Sequence, residues 1–184
     1  VSSMDPHSLN ESLQLSFTGN VYESLIERDK NMALTPLLAT KWTQQSPTVW
    51  RFELRQGVTF HDGSAFNADD VVFTFKRAAG EGSDMKGYTN PIKAVRKVSD
   101  FVVDIETTSP YPILPDTLTT LGMMSKKWCE ENKAEQPVDR RKGIENTASF
   151  KANGTGPFRL KERQPSVRTV LVRNFSYRTK IESN

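Results

Sequence analysis

Apolar and charged residues alternate through Trp50-Arg51-Phe52-Glu53-Leu54-Arg55, so Trp50, Phe52 and Leu54 share one face and Arg51, Glu53 and Arg55 the other. A period of two marks a half-buried strand. Gln56-Gly57 breaks it, and Val58-Thr59-Phe60 is a second short β-prone piece. Asp62-Gly63 is a turn signal, because glycine tolerates positive φ and aspartate bonds its own backbone. The period then changes: Val71, Val72, Phe75 and Ala79 recur at helical spacing. Asn67 is a good N-cap for that helix. Asp69 and Asp70 put negative charge at the positive end of its dipole, and Lys76 and Arg77 put positive charge near the other end. Phe66, just before the cap, can pack on Val71 as a hydrophobic staple.

The pattern is weaker elsewhere. Leu13, Phe17, Val21, Tyr22, Leu25 and Ile26 approach helical spacing and predict a helix over 16–26, weakened near Gly19. Pro36-Leu37-Leu38-Ala39 predicts a short helical turn ending near Trp42, with a loop over 43–48. Residues 80–91, with three glycines and Tyr88, read as a loop. Residues 92–99 and 101–107 predict paired strands about Ser99-Asp100, with Phe101, Val103 and Ile105 on one face. After Pro110, Pro112 and Pro115, a helix over 113–121, an extended piece over 122–124 and a helix over 125–132 capped by Ser125 are expected. Residues 135–147 are charged and poor in apolar side chains, as in a surface connection, and 158–163 with 168–173 predict a hairpin. Strands and helices mix without regular βαβ alternation, so the fold class is α+β (mixed α/β).

The run WRFELRQGVTFHDGSAFNADDVVFTF resembles the signature of the extracytoplasmic solute-binding proteins, family 5, which serve peptide and nickel ABC importers. Further landmarks of that family occur in its order: Met4-Asp5-Pro6-His7, Val21-Tyr22-Glu23-Ser24-Leu25, Pro36-Leu37-Leu38-Ala39-Thr40-Lys41-Trp42, Asn153-Gly154-Thr155-Gly156-Pro157-Phe158 and Leu171-Val172-Arg173-Asn174. At Phe175 and Arg178 the chain lacks the proline and tryptophan usual in the family.

The resemblance implies the front part of a type II periplasmic-binding-protein-like fold, with the second lobe outside this chain. Residues 1–22 and 153–184 would be partial pieces of the first lobe, and 23–152 its small strand-rich subdomain. It implies a periplasmic or extracytoplasmic substrate-binding component, not an enzyme. Such a protein captures a small polar solute, most often a peptide, between two lobes and delivers it to a membrane permease. The cleft-lining positions carried over are Asn10, Glu11, Ser12 and Leu13 after the Asp-Pro motif, Tyr88 in the glycine-rich loop, and Gly122 and Met123 in the extended piece. One wall cannot enclose a ligand, so the chain alone is expected to bind weakly and to self-associate. The alternative is a truncated protein- or membrane-interaction module with no solute binding of its own.

Composition agrees with this outline. A chain of 184 residues can bury one core or slightly more. It is 36% hydrophobic, and no stretch approaches the roughly 20 apolar residues that span a bilayer. The start, Val1-Ser2-Ser3-Met4-Asp5, has no charged region followed by an apolar one, as expected of a mature form without its signal peptide. Cys129 is the single cysteine, which excludes an intrachain disulfide and a cysteine-based metal cluster. The net charge of +3 comes from 25 basic residues spread among 22 acidic ones, which is no nucleic-acid footprint.

No cofactor, metal or catalytic residue is expected. His61-Asp62 is read as a turn, because the only other histidine is His7 and a metal site needs more ligands. Gly154-Thr155-Gly156 lacks the spacing and the lysine of a phosphate-binding loop and is read as a tight backbone passage. No G-x-S-x-G occurs.

Overall fold

The alternating run becomes the centre of a small sheet. The computed structural model describes residues 1–178. In chain order its elements are Ser12–Thr18 (α1), Ile26–Arg28 (β1), Leu34–Pro36 (β2), Ala39–Ser46 (β3), Val49–Leu54 (β4), Ala68–Ala78 (α2), Lys86–Thr89 (α3), Ile92–Ser99 (β5), Val102–Thr107 (β6), Leu114–Thr117 (α4), Lys126–Glu131 (α5), Thr147–Phe150 (α6), Phe158–Gln164 (β7) and Arg168–Arg173 (β8). A 3₁₀ turn spans Arg140–Lys142. The main sheet is antiparallel in the order β3-β4-β6-β5, and β1-β2 and β7-β8 are separate hairpins.

Register follows the pleat. Trp42 pairs Phe52, which pairs Val103, and Trp50 pairs Ile105, so these side chains share the inner face. On the other face Arg51 forks onto Asp104 at 2.8 and 2.9 Å. The inner face packs with α2 into the larger core, which includes Phe52, Phe60, Phe66, Val71, Phe75, Val103 and Ile105. Each large side chain enclosed there is worth about 1.5–3 kcal/mol of transfer free energy. A smaller cluster gathers Met4, Val21, Tyr22, Met124, Cys129, Ala134 and Ala148.

The α2 start is built as its sequence predicts. Asn67 Oδ1 accepts from the Asp69 amide at 2.8 Å, and the Asn67 amide donates to Asp70 Oδ2 at 3.0 Å, which completes a capping box. Asp70 Oδ1 also accepts from the Lys126 amide at 2.9 Å, so one carboxylate joins α2 to α5. Burial raises the Asp70 pKa. Ser125 caps α5 through the Trp128 amide.

Several sequence-based expectations are corrected. The first helix covers Ser12–Thr18, not 16–26. Val21, Tyr22, Leu25 and Ile26 are all buried in a non-helical stretch enclosed on every side, where spacing carries no period. Residues 36–48 hold no helical turn and little loop, because β3 runs through them as an edge strand. Its exposed polar positions hide the alternation. Ala79 is exposed, and Thr74, Arg77 and Ala78 take the buried places on α2. A short helix, α3, interrupts the glycine-rich loop, and α4 has four residues where nine were expected over 113–121. Within 135–147, Val138 and Asp139 are buried.

Candidate functional site

The chain forms an open groove of about 460 Å³ between α1 and the segment around Thr119, Thr120 and Gly122. Ser12, Leu15 and Gly19 line one side, Glu23 lies between, and Thr119 and Gly122 line the other. Three arrangements hold these walls in place.

The first fixes α1. Its N-cap, Glu11, makes no side-chain capping bond. Buried Gln14 instead donates to the Ser3 carbonyl and accepts from the Ser2 amide at 3.2 Å, while Thr18 Oγ1 donates to the Gln14 carbonyl at 2.9 Å.

The second is a buried ion cluster. Arg77 donates to Asp5 Oδ1 at 2.9 Å and to Oδ2 at 2.7 Å, with both side chains fully enclosed. The same guanidinium donates to the Ala134 carbonyl at 2.9 Å and to His7 Nδ1 at 2.9 Å. Burial alone would raise the Asp5 carboxyl, but the charge and hydrogen bonds of Arg77 hold it below its ordinary value. Arginine can only donate, so His7 Nδ1 is the acceptor and the proton lies on Nε2, which donates to the Gly122 carbonyl at 2.9 Å. Burial and the neighbouring Arg77 charge lower the His7 pKa to about 4.

The third is a crossing of chain segments. The Gly156 amide donates to the Val21 carbonyl at 2.9 Å, and the Phe158 amide to the Asn20 carbonyl at 3.0 Å. A Cβ on Gly154 would lie 1.9 Å from the Val21 carbonyl oxygen, so only glycine fits. His61 clamps this passage: Nδ1 accepts from the Gly154 amide at 3.3 Å, and Nε2 donates to the Gly156 carbonyl at 2.9 Å. Burial lowers the His61 pKa. Glu23, itself buried, accepts from Thr155 Oγ1 and Tyr177 Oη at 2.8 Å each and from Arg178 at 2.8 and 2.9 Å.

Of the residues nominated from sequence, Ser12 and Gly122 line the groove. Asn10, Glu11 and Leu13 are exposed beside it, Leu13 at 78%. Tyr88 is brought to Asn10, with its hydroxyl 3.3 Å from Asn10 Oδ1. The Met123 side chain is sealed in the core, and its amide donates to the Glu23 carbonyl at 2.8 Å. Sequence reasoning missed Glu23, Thr119 and Thr120 in the groove and the Asp5–His7–Arg77 cluster behind it. Glu23, Asp5 and His7 stand inside motifs already singled out, so a charged residue within a buried motif was the available signal. Among the described residues no group of three or more His, Cys, Asp or Glu could hold a metal, and no helix is long and apolar enough to cross a membrane.

The mixed α/β elements that hold this groove match part of the fold of type II periplasmic binding proteins. A solved neighbour is the ABC transporter-associated periplasmic binding protein DppA from Helicobacter pylori, in complex with peptide STSA. It has a TM-score of 0.78 and 25% identity, and the match covers 96% of this chain and 38% of that one. The glutathione-binding protein GsiB of Pectobacterium atrosepticum is 34% identical over 120 residues, 63% of this chain and 23% of that protein. YhjP of Bacillus subtilis, described as uncharacterized, is 29% identical over 179 residues, 96% of this chain and 28% of that protein. This chain therefore spans roughly a quarter of the curated relatives it matches. The sequence model of the bacterial extracellular solute-binding proteins, family 5 Middle, matches residues 33–183, and the chain belongs to that family.

Proposed function

We propose that this chain supplies one wall of the solute site of an extracytoplasmic binding protein that feeds an ABC importer. The observation that carries the reading is the groove between α1 and the Thr119–Gly122 side. At about 460 Å³ it has the size of a small-ligand site and is open on one side. A second lobe would close that side. Contacts made only in the closed form would draw the population towards closure, and a membrane permease would receive the closed form. In this reading residues 23–152 are the small subdomain, and 1–22 and 153 onward belong to the rest of the first lobe. Asn10, Glu11, Ser12, Leu13, Tyr88 and Gly122 form the ligand-facing rim, and Met123 takes part through its backbone. The role is binding, with no catalysis.

The solute class is a small peptide or peptide-like molecule. Support comes from the glutathione-binding relative and from the peptide held by the Helicobacter neighbour. The test is calorimetric titration of glutathione and of short peptides against the protein purified from its own source and against the 184-residue chain. The source protein is expected to bind one of them at micromolar concentration or below. The chain alone is expected to bind at least about 100-fold more weakly, because one wall leaves half the ligand in water. Submicromolar binding by the chain alone would overturn the two-wall reading. If the source protein binds none of these solutes, the peptide assignment fails.

A further inference from the structure

We infer that His7 is a positioning residue of the groove: its ring relays the buried Asp5–Arg77 ion pair to the Gly122 carbonyl and so fixes the wall that Gly122 forms. The inference rests on the groove being the solute wall.

The relay has one polarity. Arg77 is held by Asp5 on one edge and by the Ala134 and Gln136 carbonyls elsewhere, so its position does not depend on His7. It offers Nη1–H to His7 Nδ1 at 2.9 Å. That leaves the ring proton on Nε2, aimed at the Gly122 carbonyl at 2.9 Å. The other tautomer would set Nδ1–H against the guanidinium, and a ring turned over would set Cδ2–H there and lose both bonds. The His7 backbone is fixed as well: its amide donates to Asp5 Oδ1 at 2.9 Å and its carbonyl accepts from the Asp84 amide at 3.0 Å.

Gly122 is close-packed at the receiving end. A Cβ there would lie 3.0 Å from Tyr22 Cβ and 3.3 Å from Pro6 Cβ. Its two successors are also tethered, Met123 by the Glu23 carbonyl at 2.8 Å and Met124 by Thr74 Oγ1 at 2.9 Å. His7 is thus the side chain that ties the groove-lining peptide to the α2 ion pair.

Protonation would place two donors face to face and break the relay. The groups that decide it are Asp5 on its own loop and Arg77 on α2. Behind Arg77 stand Tyr22 and Cys129 of α5.

The test uses the full 184-residue chain, labelled for NMR, with His7→Gln and His7→Leu. In the native chain the His7 ring is expected to be the Nε2–H tautomer at neutral pH, and the Gly122 and Met123 amide signals are expected to follow its titration. In His7→Leu the Met123 amide is expected to exchange with solvent about tenfold faster, with Phe52 and Val103 in the sheet unchanged. Glutamine can accept from Arg77 and donate to Gly122, so His7→Gln is expected to restore protection. An Nδ1–H tautomer, unchanged Met123 exchange in folded His7→Leu, or no rescue by glutamine would overturn the inference. If His7→Leu does not fold, the native titration decides: Gly122 and Met123 signals that stay still while His7 titrates would overturn it. None of these readouts needs a solute, so failure of the peptide reading and failure of the relay are seen separately.

Discussion

Arg77 reaches back 72 residues along the chain to grip Asp5, Nη2 to Oδ2 at 2.7 Å, with both side chains fully enclosed. The pair fastens the loop bearing Ser3 to Ser8 onto the last turn of α2. Asp5 is saturated further by the amides of His7 at 2.9 Å and Val138 at 3.1 Å. A buried pair survives desolvation only when its remaining lone pairs and protons are met in this way. Because His7 hangs on the same guanidinium, one ion pair sets the N-terminal loop and one wall of the groove together.

Removing one partner should therefore cost more than removing both. Arg77→Met leaves the Asp5 carboxylate without its counter-charge and is expected to lower stability by about 3–5 kcal/mol. The double variant Asp5→Leu with Arg77→Met should recover at least about 1 kcal/mol of that loss, because no bare charge remains. Urea denaturation of the three proteins measures the difference. A double variant less stable than Arg77→Met would show that the pair itself drives folding at this site.

The contrast between α2 and its own Arg77 shows what the sequence reveals. The cap at Asn67, the acidic first turn and the buried Val71 and Phe75 are local, so they can be read from neighbours three or four positions away. The β4 alternation and the β7-β8 hairpin are legible for the same reason. Arg77 reads locally as a charge suited to a helix end, and its partner lies far back in the chain. Glu23 is likewise met by Thr155, Tyr177 and Arg178, at separations no pattern spans. The groove is assembled from such distant pieces. Of its lining, the sequence nominates Ser12, which follows the Asp-Pro motif, and Gly122, in the extended piece after the proline-rich segment.

Two glycines should behave oppositely. At Gly154 a Cβ would sit 1.9 Å from the Val21 carbonyl, a backbone atom that cannot move without opening the segment crossing. Gly154→Ala is expected to abolish soluble, folded chain. Gly87 lies within α3, where an added Cβ meets nothing within 4 Å and φ is not positive. Gly87→Ala is expected to stabilise by about 0.5 kcal/mol, through lower unfolded-state entropy and better helix propensity. Far-UV circular dichroism and thermal melts of the two variants distinguish them. A well-folded Gly154→Ala would contradict the crossing.

Acid should weaken the fold from about pH 6.5 downward. Both histidines accept a hydrogen bond at Nδ1, and both have folded pKa values below the unfolded 6.5. A base with a depressed folded value resists protonation in the folded state. Its stabilisation is complete above about pH 6.5 and is lost as pH falls from there through the folded value. For His7 that window runs from 6.5 down to about 4, and full loss across it corresponds to about 3 kcal/mol. Asp70, raised by burial, works the other way and offsets part of the loss. The urea midpoint is expected to fall steadily between pH 6.5 and 4.5, with a shallower slope in His7→Gln. A midpoint flat over that range would show that neither ring is held neutral by the fold.

Glu23 should act as the anchor for residues 174–178. It faces the groove at 3% exposure, and its carboxylate takes four hydrogen bonds: one from Thr155, one from Tyr177 and two from Arg178. Burial and the adjacent Glu23 charge push the Tyr177 hydroxyl up to about 12, so it stays a donor at neutral pH. With Glu23→Ala those donors lose their common acceptor, and Arg178, whose side chain is one-quarter exposed, is released into water. Trypsin needs an accessible, extended arginine. Cleavage after Arg178 is expected to speed up at least about tenfold in Glu23→Ala, because local opening there becomes nearly free. Cleavage after Arg51, held on a central strand by its fork to Asp104, should not change. Timed digestion read by mass spectrometry separates the two sites. Equal acceleration at both would mean that Glu23→Ala loosens the whole fold, and no change at Arg178 would mean that β7-β8 holds the segment without Glu23.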